Sequence, residues 1–180
     1  MPTDEELARG VQQGDADELR WLVERHHALL VGFLYRQTAD RPLAQDLAQE
    51  TFLRMMRAIQ QYHYPRPFKP WLYAIAVNLL RDYYGQAEMR HTEAMPETLA
   101  LSQTGSLAPE RVLVRQDEWQ RVQTAVSQLP PLQRAAILLR YHEGMSLLDI
   151  ATALDIPVGT VKSRLSLALR ALRQNLAEDG

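Results

Sequence analysis

Four positively charged side chains near the C-terminal end of the sequence have no negatively charged neighbours. Between residues 156 and 177 the cations are Lys162, Arg164, Arg170 and Arg173, and the segment contains no carboxylate. The whole chain has a formal net charge of −2. A local set of cations on a slightly acidic chain is the electrostatic pattern of a protein that contacts phosphate groups. The pattern indicates nucleic-acid binding through a local patch rather than through overall charge.

The sequence around these cations predicts two helices joined by a sharp turn. Ser146 and Asp149 have the spacing of a capping box, which begins a helix at Ser146. Asp155 tolerates the left-handed backbone of a turn, and Pro157 fits the first turn of the next helix. The inner face of that second helix contains Val158, Val161, Leu165, Ala168, Leu169 and Leu172. Its outer face contains Thr160, Lys162, Ser163, Arg164 and Ser166. We interpret the pair as a helix-turn-helix whose second helix enters the DNA major groove, although an ordinary hairpin with a solvated basic face is the alternative.

A second set of residues combines aromatic rings with cations and an amide. Three prolines within residues 65–70 predict a stiff loop, and a helix is predicted from Trp71 to Gln86. The rings are Tyr62, Tyr64, Phe68, Trp71, Tyr73, Tyr83 and Tyr84, and the polar members are Lys69, Asn78 and Arg81. Such residues stack on unpaired bases and hydrogen-bond to them. The alternative is that the rings belong to the core, which the tyrosine hydroxyls argue against because they need polar partners.

A third set of polar residues lies on one face of another predicted helix. Asp40 caps this helix, Pro42 fits its first turn, and its pattern continues to about Gln60. The face opposite its apolar stripe contains Asp46, Gln49, Glu50, Arg54 and Arg57. A mixed-charge face of this kind is either a docking surface or simply solvated.

Composition excludes several classes of protein. The 180 residues include 46% hydrophobic and 23% charged side chains, which is typical of a soluble globular chain. The absence of cysteine excludes disulfides, thiolate zinc sites and cysteine nucleophiles, and it suits a cytoplasmic location. The acidic N-terminus does not resemble a signal peptide, and no apolar run reaches the roughly 20 residues of a membrane span. We read His26 as packed and His27 as exposed rather than as metal ligands. We expect no metal, no cofactor and no enzymatic activity, because no catalytic cluster is apparent.

Helical periodicity recurs along most of the chain, and strand-type alternation is not sustained anywhere. We therefore predict an all-α fold of two small helical domains joined by a flexible linker. Residues 85–109 have the polar, aromatic-poor composition of a linker. The predicted domains are residues 1–84 and residues 110–180, and the second contains the helix-turn-helix.

These segments together resemble the extracytoplasmic-function (ECF) group of bacterial sigma factors in the sigma-70 family. The resemblance is carried, in order, by PLAQDLAQETFLRMMRAI, RPFKPWLYAIAVNLLRDY and LPPLQRAAILLRYHEGMSLLDIATALDIPVGTVKSRLSLALRAL. It covers nearly the whole chain except the linker, and DLAQETFLR and IPVGTVKSRL are its specific parts. The resemblance implies a subunit that gives RNA polymerase its promoter specificity in a stress or envelope response.

The resemblance also implies partners and roles for individual residues. The first domain would bind the β′ clamp helices of core RNA polymerase and open the minus-ten element, and the second would bind the β flap and read the minus-thirty-five element. An anti-sigma factor is a further implied partner. The implied polymerase-binding residues are Asp46, Leu47, Gln49, Glu50 and Arg54. The implied minus-ten residues are Lys69, Trp71, Tyr73, Asn78 and Arg81. The implied minus-thirty-five residues are Thr160, Lys162, Ser163, Arg164 and Ser166.

The sequence departs from the family pattern at three places. Val77 and Leu167 stand where the family often has arginine, and residues 83–86 replace a commonly basic helix end. Each change removes a possible phosphate contact, so weak or unusual promoter binding is expected. Two other classes are considered: a helix-turn-helix regulator that acts without polymerase would account for the second domain only, and a nucleic-acid-processing enzyme lacks the residues for its chemistry.

Overall fold

The computed structural model describes the backbone of residues 1–91 and 110–178 and the side chains of residues 1–86 and 118–177. The N-terminal helices are α1 (Asp4–Gln12), α2 (Ala16–Thr38), α3 (Arg41–Ala58), a 3-10 turn (Ile59–Gln61) and α4 (Phe68–His91). The C-terminal helices are α5 (Glu110–Ser127), α6 (Pro131–Ile137), a π-helical turn (Leu138–His142), α7 (Leu147–Leu154) and α8 (Val158–Glu178). No strand occurs in these two stretches, and the prediction of two all-helical domains is confirmed.

Each of the first three helices begins at a residue whose side chain caps it, and the cap of the third, Asp40, is the predicted one. Thr3 and Glu6 form a complete capping box at the start of α1. The Asp15 carboxylate accepts hydrogen bonds from the backbone N–H groups of Asp17 and Glu18 at the start of α2. Asp40 accepts from the backbone N–H of Leu43 at 3.0 Å at the start of α3. Each bond satisfies a donor that the first helical turn leaves without a partner.

Helix α4 begins at Phe68, three residues before the predicted start at Trp71. Pro70 is compatible with this start because the first turn of a helix has no intrahelical use for a backbone N–H. The N–H of Phe68 donates instead to the carboxylate of Glu5, at 3.1 Å, from the other end of the domain. At its other end α4 continues to His91, into the segment predicted as linker. The rest of that segment, residues 92–109, lies outside the described residues, and the predicted domain boundaries stay a prediction.

The helix-turn-helix has the predicted local geometry. Ser146 and Asp149 form a complete capping box at the start of α7. Asp155 ends α7 in the left-handed conformation with φ 52°, and α8 begins directly after Pro157. The buried residues of α8 include Val161, Leu165 and Ala168. Because these residues pack against the rest of the domain, the orientation of α8 and therefore of its outer face is fixed.

The buried side chains of the described residues form one continuous cluster that includes both domains. Phe33 and Tyr73 belong to it from the first domain, and Leu139, Ile150 and Leu154 belong to it from the second. Helix α4 packs directly against α7, and α2 contacts α6. The two domains therefore meet along α4, which is the helix that carries the predicted minus-ten residues.

His26 is a packed histidine, as predicted, and His27 is exposed. The Nε2 atom of His26 lies 2.8 Å from a carboxylate oxygen of Asp4, and Arg25 contacts the other oxygen at 2.5 Å. Burial alone would raise the pKa of Asp4, but the hydrogen bonds from His26 and Arg25 hold it below its ordinary value. This network ties α1 to α2. Among the side chains that the structure describes, no group of His, Cys, Asp or Glu is arranged to hold a metal ion. In the same part of the chain, no helix has the length and apolar character of a membrane span.

Candidate nucleic-acid interface

The outer face of α8 carries the predicted minus-thirty-five residues at its surface. Lys162, Ser163 and Ser166 are exposed, while Thr160 and Arg164 are half-buried. Leu167, where the resemblance expects an arginine, is 49% exposed beside them. This face therefore combines cationic, hydroxyl and apolar groups, which suit phosphates, base edges and thymine methyl groups respectively.

The outer face of α3 contains most of the predicted polymerase-binding residues. Asp46 and Gln49 are exposed, and Glu50 and Arg54 are half-buried. The Nε atom of Arg54 donates to Glu50 at 3.0 Å, and its Nη1 atom lies 3.5 Å from Asp82 on α4. The first pair lies within α3, and the second joins α3 to α4 at the surface.

Leu47 is the one predicted polymerase-binding residue that the structure buries, and its contact with polymerase stays a prediction. Leu47 is only 9% exposed and belongs to the core of the first domain. The helical spacing that places Asp46 outside rotates the next residue toward the inside. Leu53 and Met56 are instead exposed on α3, at 41% and 44%. Met55, the neighbour of Met56, is buried.

The predicted minus-ten residues lie together on α4, but they are not equally accessible. Asn78 is exposed, and Trp71 is half-buried with its ring 5.3 Å from that of Tyr62. Tyr73 is completely buried, which contradicts the expectation of an exposed stacking ring. Its ring contacts Phe33 edge to face, with centroids 5.2 Å apart.

Tyr73 also contacts the C-terminal domain. Its hydroxyl donates to the Oε2 atom of Glu143 at 2.8 Å. The Nζ atom of Lys69 lies 3.0 Å from the same carboxylate oxygen and donates to the backbone carbonyl of Glu143, also at 3.0 Å. Arg81 donates to the backbone carbonyl of Leu154, at the end of α7. Three of the five predicted minus-ten residues thus contact the second domain.

Glu143 is an ionised carboxylate held in a nearly dry interface. Its side chain is 1% exposed. Burial alone would raise the pKa of Glu143, but hydrogen bonds from Lys69 and Tyr73, together with the Lys69 charge, hold it below its ordinary value. His142 adds a contact of 3.2 Å to the other carboxylate oxygen. Burial and the adjacent carboxylate raise the pKa of Tyr73, so its hydroxyl stays a donor. Glu143 was absent from the predicted site, and no local pattern in the sequence distinguishes it.

The other tyrosines divide between core and surface. Tyr62 is 3% exposed and donates its hydroxyl to the backbone carbonyl of Arg66, and burial raises its pKa to about 12. Tyr84 donates to the carbonyl of Gln37 at 2.6 Å. The expectation that tyrosine hydroxyls keep these rings out of the core is wrong for Tyr62, since a backbone carbonyl serves as its polar partner. Tyr64 and Tyr83 are exposed.

Comparison with known proteins defines the class to which this arrangement belongs. The family model for Sigma-70 region 2 matches residues 22–89, and the model for Sigma-70, region 4 matches residues 119–172. Each match falls on one group of helices. The fold is therefore that of a sigma factor.

Relatives place the chain within one group of that class. It is 34% identical over 176 residues to the ECF RNA polymerase sigma factor SigW of Bacillus subtilis, covering 93% of this chain and 94% of the relative. It is 33% identical over 182 residues to the RNA polymerase sigma-H factor of Pseudomonas aeruginosa, covering 96% and 93%. The sigma factor RpoE of Bartonella quintana, solved with the anti-sigma factor NepR, superposes with a TM-score of 0.68 at 25% identity, covering 92% and 100%. The chain belongs to the ECF sigma factors.

Proposed function

We propose that this sigma factor binds core RNA polymerase and directs it to promoters by contacting one DNA element with each domain. The observation that carries the proposal is the presence of regions 2 and 4 in one chain, in that order, with a helix-turn-helix in the second. An ordinary helix-turn-helix regulator has no use for the first domain. The chain supplies binding and positioning, and the polymerase supplies the chemistry.

The outer face of α3 is the proposed docking surface for the β′ clamp helices of the polymerase. Asp46 and Gln49 are exposed there, and Glu50 is held by Arg54. Acidic groups four residues apart on one helix face can pair with cations on a partner helix. The neighbouring Leu53 and Met56 add apolar area that a docked helix would cover. The second domain is proposed to bind the β flap.

Helix α8 is the proposed reader of the minus-thirty-five element. Lys162 and Arg164 would contact phosphates or guanine edges, while Ser163 and Ser166 would reach either strand. Leu167 replaces a potential phosphate contact with an apolar side chain, which suits a thymine methyl group. This exchange lowers the electrostatic share of binding and makes the polymerase contact more important for affinity.

Helix α4 is the proposed reader of the unpaired minus-ten strand, through Lys69, Trp71, Tyr73, Asn78 and Arg81. Each stacked base would contribute about 1–3 kcal/mol. Two or three such contacts offset the few kcal/mol of unstacking that strand opening requires. Asn78 is exposed and can hydrogen-bond a base edge, whereas Tyr73 requires the C-terminal domain to move first.

Control by an anti-sigma factor is part of the proposal, as are a role in a stress or envelope response and a bacterial cytoplasmic location, where polymerase and promoters are found. Support comes from the RpoE relative, whose structure contains an anti-sigma factor. The membership of this chain in the ECF group supports the stress or envelope role.

Co-purification with core polymerase tests the proposal. The full chain should form a defined complex with core enzyme in native gels, and only that complex should protect promoter DNA. The contradicting result is a chain that does not bind core polymerase but dimerises and binds a palindromic duplex by itself. Such a chain would be a polymerase-independent regulator, and the proposal would be wrong.

A further inference from the structure

We propose that Glu143 forms an intramolecular clasp with α4 that holds the free sigma factor closed, and that this clasp opens before the minus-ten element is bound. In the closed state the C-terminal domain covers the minus-ten surface. The role of that surface rests on the proposed function. The clasp itself rests only on contacts between the two domains.

The clasp is built around one carboxylate that the first domain neutralises. Glu143 is 1% exposed, Lys69 contributes the positive charge at 3.0 Å, and Tyr73 contributes a hydrogen bond at 2.8 Å. A buried charge is strongly unfavourable unless it is paired and hydrogen-bonded. Both of these partners come from α4, so Glu143 is stably buried only when the domains are together. The buried charge therefore selects the one domain arrangement in which Lys69 and Tyr73 contact Glu143, which an apolar contact alone would not do.

Two further hydrogen bonds fix the relative position of the domains. Arg81 of α4 donates to the carbonyl of Leu154, the last residue of α7. Arg134 of α6 donates to the carbonyl of Gln37, near the end of α2, at 2.6 Å. These bonds lie on different helices from the carboxylate, so the second domain is held at three places.

In the closed state the two DNA-reading surfaces are too close together to bind both promoter elements at once. Arg81 touches Leu154, and Lys162 follows eight residues later, so the readers of the two elements lie within roughly 40 Å of each other. The names of the elements place them about 25 base pairs apart, which is about 85 Å along straight B-DNA. The domains must therefore separate for both contacts to form. Residues 92–109 would span about 60 Å if fully extended, which permits that separation.

The lysine content of the chain provides a direct test in the free protein. Its lysines are Lys69, inside the clasp, and Lys162, exposed on α8. Full-length protein is treated briefly with an acetylating ester, and mass spectrometry compares the rates at the two side chains. In the wild type Lys69 should react at least about tenfold more slowly than Lys162. Its side chain is 28% exposed, but in the closed state its ammonium group is held by the carboxylate and the backbone carbonyl of Glu143.

Two variants show whether the slow reaction of Lys69 depends on Glu143 or only on the burial of Lys69. Glu143→Gln should bring the rate at Lys69 to within about threefold of the rate at Lys162. Glu118→Gln, which changes an exposed glutamate on α5, should keep the wild-type ratio. Far-UV circular dichroism checks that the helices persist. Protection of Lys69 that survives the loss of Glu143, or a Lys69 as reactive as Lys162 in the wild type, would overturn the clasp.

A charge exchange replaces Glu143→Gln if that variant unfolds. The double variant Lys69→Glu with Glu143→Lys restores the ion pair with its two charges interchanged. The lysine introduced at position 143 should be acetylated slowly relative to Lys162 in the double variant, and rapidly when Glu143→Lys is made alone. Equal rates at the introduced lysine in the single and double variants would count against the clasp.

Adding core polymerase distinguishes failure of the clasp from failure of the proposed function. If the chain binds polymerase, Lys69 should lose its protection in the complex with core enzyme before promoter DNA is added, since bound DNA would cover this side chain again. Continued protection in the DNA-free complex would overturn the opening step. If the chain does not bind polymerase, the proposed function fails, while the measurements on the free protein still decide whether the clasp exists.

Discussion

The hydroxyl of Tyr73 donates to the carboxylate of Glu143 at 2.8 Å, across 70 positions of sequence and between the two domains. Tyr73 is also the ring that family resemblance assigns to unpaired promoter DNA. The same side chain therefore has two possible partners that exclude each other. If α4 binds the minus-ten strand as proposed, promoter opening and domain closure compete for one surface of this helix.

Asn78 is the better residue for testing promoter opening, because it is exposed while Tyr73 lies in the core. Tyr73→Ala would leave a cavity and destabilise the fold by about 3–5 kcal/mol. Holoenzyme with Asn78→Ala should show less permanganate-detected opening on linear duplex, and it should recover most of its transcription on a template already mismatched at the minus-ten element. Tyr73→Phe, which keeps the ring, is the matched variant and should open duplex at least as well as wild type. Equal losses by Asn78→Ala on both templates would remove it from the melting surface.

Asp46 and Glu50 are expected to bind the polymerase through their charges. Reversing both to lysine should weaken holoenzyme formation by at least about tenfold, or ~1.4 kcal/mol, in native-gel titrations. Far-UV circular dichroism should be unchanged because Asp46 is exposed and Glu50 is half-buried. Asp17→Lys with Glu24→Lys on α2 makes the same change in net charge and serves as the control. If the variant with both Asp46 and Glu50 reversed binds polymerase as tightly as wild type, the outer face of α3 is not the polymerase-binding surface.

The local starts of the helices were predictable because each depends on residues three or four positions apart. The caps at Asp40 and Ser146 both form as the spacing indicates. The turn at Asp155 follows from the same kind of local preference. The outer face of α8 was predictable for a related reason, since its inner face is continuously apolar.

The errors at Tyr73 and at the start of α4 have a different origin. The hydroxyl of Tyr73 donates to a residue 70 positions away, and the N–H of Phe68 donates to Glu5, 63 positions away. Nothing in a short window of sequence indicates such partners. The burial of Leu47 is a simpler case: family resemblance grouped this residue with polar neighbours, whereas helical geometry alone places it in the core.

Lys162 and Arg164 should contribute to promoter binding, whereas an uncharged residue on α8 should not. If Lys162 contacts only phosphate, Lys162→Ala in holoenzyme should weaken binding to all promoters and lower the slope of log K against log salt by about one. If Arg164 reads a base, Arg164→Ala should cost about 1–3 kcal/mol at one position of the element. Gln174→Ala, on an exposed part of the same helix, should change neither quantity. Wild-type binding by both cation variants would exclude α8 from the groove.

Acid should open the clasp, because Glu143 has a pKa below its ordinary value in the closed state. A carboxyl with a depressed pKa stabilises the closed state fully above the ordinary value of 4.5, and this stabilisation is lost as pH falls through the depressed value. The groups that face Glu143 are Lys69, Tyr73 and His142. Energy transfer between dyes on Glu24→Cys and Gln174→Cys, in a chain without natural cysteines, should be constant from about pH 6 to 8 and fall below about pH 4.5.

Two variants show which side chain causes this acid transition. His142→Asn should keep it, since the carboxylate of Glu143 is unchanged, and Glu143→Gln should abolish it. Circular dichroism on the same samples separates domain opening from loss of helix. An acid transition that is identical in Glu143→Gln would show that another group controls closure.

The central claim is that this chain gives core RNA polymerase its promoter specificity, and run-off transcription over a promoter library measures this most directly. Core enzyme with the chain should produce transcripts from defined start sites, and sequencing of the productive templates should recover two sequence elements about 25 base pairs apart. Core enzyme alone should not produce them. Transcripts that are the same with and without the chain, together with sequence-specific binding of the chain to duplex DNA in the absence of polymerase, would contradict the account.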